Sequence, residues 1–283
     1  MFKKALHYIK RGFRHPVMAF RMGCRLMDRR FQLTEKARVY NGGERLVIKD
    51  WQRARESGGY IAFCHIQRYE WVSSILQGKR CLDAGCGSGY GTDFLARQGE
   101  REMVGIDISE KAIKYAAKKY GVTGVEFITM DVREMRLEDH SFDAVISFDV
   151  MEHLSAHDQG RFLAEVVRVI TQDGSAFIGC PNATMNKLTN PFHIRELNVH
   201  EFKELLHLFF EEVGVLGQDI AIPGFTSRAD WRDHLQEITF ADMVLVEDEL
   251  DNALCLLAIC RKPRATARGN GAPVIPEHAI YDT

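Results

Sequence analysis

The chain reads as an α/β protein: a mostly parallel sheet clad by helices on both faces. Three observations carry that reading. From about residue 79 onward, short apolar runs alternate with segments of helical period. A glycine-rich turn, Gly85-Cys86-Gly87-Ser88-Gly89, stands between the first such run and the first helix. The composition, 46% apolar and 27% charged, is that of a chain able to bury a core, so wholesale disorder does not compete.

The elements follow in order. Residues 80–84 form the first strand, cut off by Gly85, and 91–98 the helix behind it. Residues 103–106 form the second strand, and Ser109 is placed to cap a helix over 109–120. Third and fourth strands occupy 125–129 and 142–147, followed by a long amphipathic helix over 159–170. A fifth strand, 175–180, is closed by Pro181, and 201–210 is helical. Residues 213–216 and 254–260 read as two late strands. Three regions stand outside the alternation: 1–78, of which 1–59 reads as a basic amphipathic N-terminal segment and cap, an insertion at 221–250, and a Pro- and Gly-bearing tail over 263–283 expected to be disordered.

Several function classes drop out early. The net charge of −2 gives no overall attraction to nucleic acid, and none is expected as a partner. Seven cysteines form no Cys-x-x-Cys pair, which argues against a disulfide framework or a zinc site and for reduced thiols in the cytoplasm. No apolar run reaches the roughly 18 residues a membrane span needs.

The glycine turn narrows the ligand. Glycine lets the backbone turn sharply and approach a ligand closely, while the next helix offers unpaired N–H groups. A dinucleotide fingerprint requires Gly-x-Gly-x-x-Gly, and the third glycine is replaced by Tyr90, Thr92 or Phe94 in the three possible registers. A Walker A loop fails because no Gly-Lys-Ser/Thr follows.

Leu82-Asp83-Ala84-Gly85-Cys86-Gly87-Ser88-Gly89 resembles the first motif of class I S-adenosylmethionine-dependent methyltransferases. The resemblance extends over about 60–262 and implies a Rossmann-like sheet of seven strands, helices on both faces, with the last strand pair antiparallel. It implies S-adenosylmethionine as cofactor, held by Gly85, Cys86, Gly87 and Gly89, with Asp83 organising the loop near the methionine amine. Asp107, 22 residues past Gly85, would take the ribose hydroxyls, with Ile108 beside it. Asp131 and Val132 would contact the adenine. The stretch from Ser147 to Leu154, with Phe148 near its start, resembles the fourth motif bordering the methyl-transfer pocket. Arg68, in His65-Ile66-Gln67-Arg68-Tyr69, would face the methionine carboxylate, unless it merely packs a helix.

Methyl transfer to oxygen needs a positioned base, and histidine is the usual one. His153 is the leading candidate; the competing reading makes Glu152 and His153 anchors of the following helix. Residues 190–197 (Asn-Pro-Phe-His-Ile-Arg-Glu-Leu) resemble a stretch of a subgroup acting on small molecules and glycans, which adds His193 and Glu196 as an acid/base or orienting pair. A metal site from His153, His193 and Glu196 is conceivable, but nothing in the spacing demands it, and no metal is expected. Radical chemistry would need three clustered cysteines, which are absent. Aminopropyl transfer is disfavoured by the residues after the fourth strand.

The expected activity is therefore methylation of a small-molecule, glycan or lipid-linked acceptor, at oxygen in preference to nitrogen or carbon. The alternative is a methyltransferase-like domain acting as a non-catalytic binding or scaffold protein. Residues 1–30 carry nine Lys/Arg against Asp28, and 2–14 place Phe2, Leu6, Ile9 and Phe13 on one helical face. That pattern suits peripheral contact with the inner membrane face, or packing on the enzyme or a partner with the basic side solvated.

Overall fold

A computed structural model describes residues 46–48, 50–99, 102–121, 124–185, 190–221 and 239–265. The amphipathic segment 2–14, most of the 221–250 insertion and the tail beyond 265 lie outside the described residues. Eight strands form one sheet in the order β3-β2-β1-β4-β5-β8-β6-β7. They are β1 (Arg80–Ala84), β2 (Glu102–Asp107), β3 (Val125–Thr129), β4 (Phe142–Phe148), β5 (Ile170–Pro181), β6 (Phe210–Ile220), β7 (Met243–Val246) and β8 (Cys255–Pro263). Strands β3 through β5 pair in parallel, and β8 runs antiparallel between β5 and β6. Helices are α1 (Trp51–Ser57), α2 (Gly59–Ser73), α3 (Tyr90–Arg97), α4 (Glu110–Tyr120), α5 (Ala156–Val169) and α6 (Val199–Phe209).

Central strands alternate their side chains between two apolar clusters, one on each face. Leu82, Ala84, Phe142 and Val145 join Phe162, Val166, Phe202 and Phe209 of α5 and α6. Cys81, Ala144 and Ile146 join Ile66, Tyr69 and Val72 of α2, with Leu95 and Ala116. A sheet buried on both sides carries near-continuous apolar strands, which is why β4 reads Phe-Asp-Ala-Val-Ile-Ser-Phe. Side chains cap the later helices: Ser109 accepts from the Ala112 N–H at the start of α4, and Asn198 forms a full capping box with Glu201 at the start of α6.

The sheet has one strand more than the seven expected. β7 lies within the 221–250 insertion and pairs antiparallel with β6, from Gly217↔Val246 to Ile220↔Met243. Four residues, Met-Val-Leu-Val, are too short to show a period, so only their sheet partner identifies them as a strand. β5 also begins at Ile170 rather than 175, directly where α5 ends. Its first half, Thr171-Gln172-Asp173-Gly174, carries turn-like residues in an extended ladder. β8 continues through Pro263, beyond the expected end at 260. Among the described residues, no helix is long and apolar enough to cross a membrane.

Strand order reverses between β1 and β4. In open α/β sheets a crevice opens outside the carboxyl ends of the strands at such a switch point. The residues at those ends here are Gly85 and Asp149.

Candidate functional site

The glycine turn is built by backbone geometry. Gly85 has φ +86°, and a Cβ there would stand 2.2 Å from Val150 Cγ2. Gly87 has φ +54°, but a Cβ on it would meet nothing within 4 Å. Gly85 is thus demanded by packing, whereas Gly87 borders open space that a ligand can enter. The turn is tied to β2 because the Gly85 and Cys86 N–H groups both donate to the Ile106 carbonyl, at 2.8 and 2.9 Å. Cys86 is buried with its thiol pushed well up by desolvation, which makes it a small filler rather than a reactive group.

Asp107 closes β2 and anchors both sides of the cradle. Its carboxylate accepts from Gly87 N at 3.1 Å and from Ser109 N at 2.8 Å. Ser109 does cap α4, and Asp107 ties the glycine turn to the start of that helix. Beside it Ile108 is 61% exposed, a large apolar side chain held in the open next to an acid. Gly89, at φ +82°, is the N-cap of α3 and makes no side-chain bond to the first N–H groups of that helix. An acid for hydroxyls, an apolar surface for a base and an open glycine loop together fit a nucleoside.

Asp83 lies beneath the loop, 1% exposed, rather than at its rim. It accepts from Thr92 Oγ1 at 2.6 Å and from the Tyr69 hydroxyl at 3.2 Å. Burial pushes its carboxyl up to about 6, against the opposing pull of those two hydrogen bonds. Tyr69 and Thr92 were not among the expected site residues.

Arg68 is 2% exposed and its nitrogens point into the protein. Nε donates to Gln218 Oε1 at 2.8 Å, one terminal nitrogen pairs with Asp149, and the other lies 2.9 Å from Cys255 Sγ. Each guanidinium nitrogen thus has a partner within the protein. Burial pushes up the carboxyl of Asp149, at φ +55° just after β4, but the Arg68 guanidinium and the neighbouring His65 together outweigh it and hold the group below the usual carboxylate range. His65 bridges the same carboxylate and the Tyr90 hydroxyl, at 3.3 and 2.7 Å. Phe148, the last residue of β4, packs edge-on against Tyr69 with centroids 5.4 Å apart.

Asp131 and Val132 follow β3 as expected. The Asp131 carboxylate, however, is gripped by Arg133, whose Nε lies 3.0 Å away and whose other arm reaches Asp158 at 3.0 Å. That pairing holds Asp131 in its charged form. Val132 is buried.

The short 3-10 turn Met151–His153 brings Glu152 and His153 against the segment after β5. Ile194 N and Arg195 N both donate to the Glu152 carbonyl, at 2.7 and 3.1 Å. Gln159 fastens the two pieces, donating to the carbonyls of Met151 and Arg195. His153 and His193 meet edge to face with ring centroids 5.1 Å apart. His153 Nδ1 lies 2.9 Å from the Phe192 carbonyl. A carbonyl only accepts, so Nδ1 carries a proton, and in the neutral ring the lone pair lies on Nε2. His193 Nδ1 pairs with Glu196, and its Nε2 is 2.9 Å from Asn190 Nδ2. The three expected catalytic residues thus converge. Glu152, not among them, is 1% exposed, and burial together with Asp149 pushes its carboxyl well up.

Comparison with known proteins identifies the family. The family described as methyltransferase domain matches residues 82–178. A probable S-adenosylmethionine-dependent methyltransferase of Mycobacterium tuberculosis, Rv3030, is 30% identical over 227 residues, covering 69% of this chain and 81% of that protein. A phthiotriol/phenolphthiotriol dimycocerosates methyltransferase of Mycobacterium leprae is 37% identical over 113 residues, 39% of this chain and 41% of its own. Among solved structures, a possible histamine N-methyltransferase from Thermotoga maritima superposes with a TM-score of 0.55 at 18% identity, covering 71% of this chain and 89% of that one. The cradle at the switch point and the relative matched over most of its length lead to one conclusion: the chain belongs to the class I S-adenosylmethionine-dependent methyltransferases.

Proposed function

We propose that this methyltransferase acts on a hydroxyl oxygen of a small-molecule, glycan or lipid-linked acceptor. When bound, S-adenosylmethionine supplies an electrophilic methyl group on a sulfonium. The loop Gly85, Cys86, Gly87 and Gly89 cradles it, Asp107 takes the ribose hydroxyls, and Ile108, Asp131 and Val132 border the adenine. Asp83 and Phe148 support the methionine end, and Arg68 serves that end indirectly by fixing Asp149.

One observation carries the choice of oxygen. The Phe192 carbonyl fixes the tautomer of the neutral His153 ring so that its lone pair lies on Nε2, beside His193 and the fourth motif. A hydroxyl nucleophile needs such an acceptor for its proton, and the His193–Glu196 pair orients the second ring next to it. Phe192 and Ile194 flank these histidines and are 40% and 67% exposed, which favours an acceptor with an apolar part. The relative named for phthiotriol dimycocerosates, and the Lys- and Arg-rich sequence of 2–14, support presentation of that acceptor at a membrane surface.

The test is a methyl-transfer screen of hydroxylated small molecules, glycans and vesicle-borne lipids, run on the wild type and His153→Asn. The expected outcome is turnover that His153→Asn lowers by about 10²–10⁴-fold. Equal turnover in the variant, at equal affinity for S-adenosylhomocysteine, would contradict the assignment of His153.

A further inference from the structure

Glu152 poses a problem that proton transfer alone does not solve. A carboxylate in a 1% exposed position ordinarily finds partners, yet its Oε2 has no hydrogen-bond partner among the described residues. One ligand atom from each of Glu152, His153 and His193 lies within 4.8 Å of the other two. Two imidazoles and a carboxylate converging this way form a donor set used for divalent first-row metals.

The surroundings of the two rings point the same way. A histidine that ligates a metal nearly always gives its other N–H to a backbone carbonyl or a carboxylate. His153 Nδ1 is engaged by the Phe192 carbonyl and His193 Nδ1 by Glu196. Each ring therefore presents Nε2, with its tautomer already fixed. The position opposite His193 Nε2 is held by the Asn190 amide, whose Nδ2 is a hydrogen-bond donor 2.9 Å away. An electropositive group thus already stands where a cation would, and Asn190 must turn aside for it. Bonds of about 2.0–2.2 Å to nitrogen and oxygen put neighbouring ligand atoms roughly 3–4 Å apart, so small side-chain rotations close the triad.

We propose that Glu152, His153 and His193 bind one divalent transition-metal cation, with Glu196 and the Phe192 carbonyl as orienting partners and open positions for the acceptor's oxygen. Glu152, not Glu196, is the carboxylate ligand. The inference rests on the reading that this cluster faces the acceptor, and it changes one role. In the cation-loaded enzyme, His153 addresses the acceptor through the metal. The ligated hydroxyl then gives its proton to water instead of to the imidazole.

The experiment uses the full-length protein, stripped with a chelator and dialysed, with no acceptor present. Co²⁺ is added and its visible absorption followed, and Zn²⁺ is titrated by calorimetry. The expected result is one site per chain, with the Co²⁺ band displaced by Zn²⁺. Glu152→Gln and His193→Asn are expected to abolish the band, and Glu196→Gln to weaken binding about 10–100-fold. Retained S-adenosylhomocysteine affinity shows that each variant is folded. Should a variant lose that affinity, the wild-type stoichiometry and the milder Glu196→Gln decide. No saturable site in the wild type, or a band unchanged in folded Glu152→Gln and His193→Asn, would overturn the proposal. Once an acceptor is found, undiminished turnover of chelated enzyme that His153→Asn abolishes would also overturn it, while leaving the base reading intact.

Discussion

Replacing Asp83 with asparagine changes how stability depends on pH, and the size of the change follows from its burial. In the folded protein the carboxyl is pushed up to about 6, whereas an unfolded chain titrates near its ordinary value of about 3.9. The folded state therefore binds the proton more tightly than the unfolded one. Stability associated with this group is present in full at low pH and is lost as pH rises through the folded value. A gap of roughly two pH units corresponds to about 3 kcal/mol, of which about 2 kcal/mol falls between pH 4.5 and 7. Asparagine at the same position still accepts from Thr92 or Tyr69 through its carbonyl but does not ionise. Urea unfolding of both proteins at several pH values isolates the difference. Asp83→Asn gains about 2 kcal/mol relative to wild type from pH 4.5 to 7, or about 4–8 °C in the difference between melting temperatures. A difference that stays flat across that range would refute the argument that burial dominates at Asp83.

Three further substitutions test other links. Gly85→Ala places a Cβ 2.2 Å from Val150 Cγ2 at positive φ and is expected to lower stability by about 1–3 kcal/mol in thermal or urea unfolding. Gly87→Ala meets no neighbour, so it should cost about 1 kcal/mol of stability yet weaken S-adenosylhomocysteine binding by more, since its methyl enters the cradle. Arg68→Met leaves Asp149 and Gln218 without their buried donor and is expected to destabilise the fold by about 3–5 kcal/mol, measured by urea unfolding.

The sequence made the parallel half of the fold legible because each strand there is bounded by residues with one mechanical role. β1 stops at Gly85 and α4 starts after the cap Ser109, so their limits could be read directly. β7 was not readable, because four residues gain strand identity only from β6. The site divides in the same way. Asp107 and the glycine loop are proposed from their position in the fold, and His153, His193 and Glu196 from the motifs that carry them. Arg68 did not betray its role, since its partner Gln218 is 150 residues away and no local pattern links them. The grip of Arg133 on Asp131, two residues apart, was within reach of a charge-spacing argument. Glu152 was hidden for another reason. A polar residue in a three-residue turn has no period to show that it is buried.

The most direct test of the account is calorimetric titration with S-adenosylhomocysteine, comparing wild type with Asp107→Ala. The wild type is expected to bind one molecule per chain with an affinity of roughly micromolar order. Asp107→Ala removes a charged acceptor from the ribose hydroxyls and releases Gly87 N and Ser109 N, costing about 3 kcal/mol or more, a loss beyond about 100-fold. Binding in the wild type that Asp107→Ala leaves intact, or no binding at all, would contradict the cradle as described.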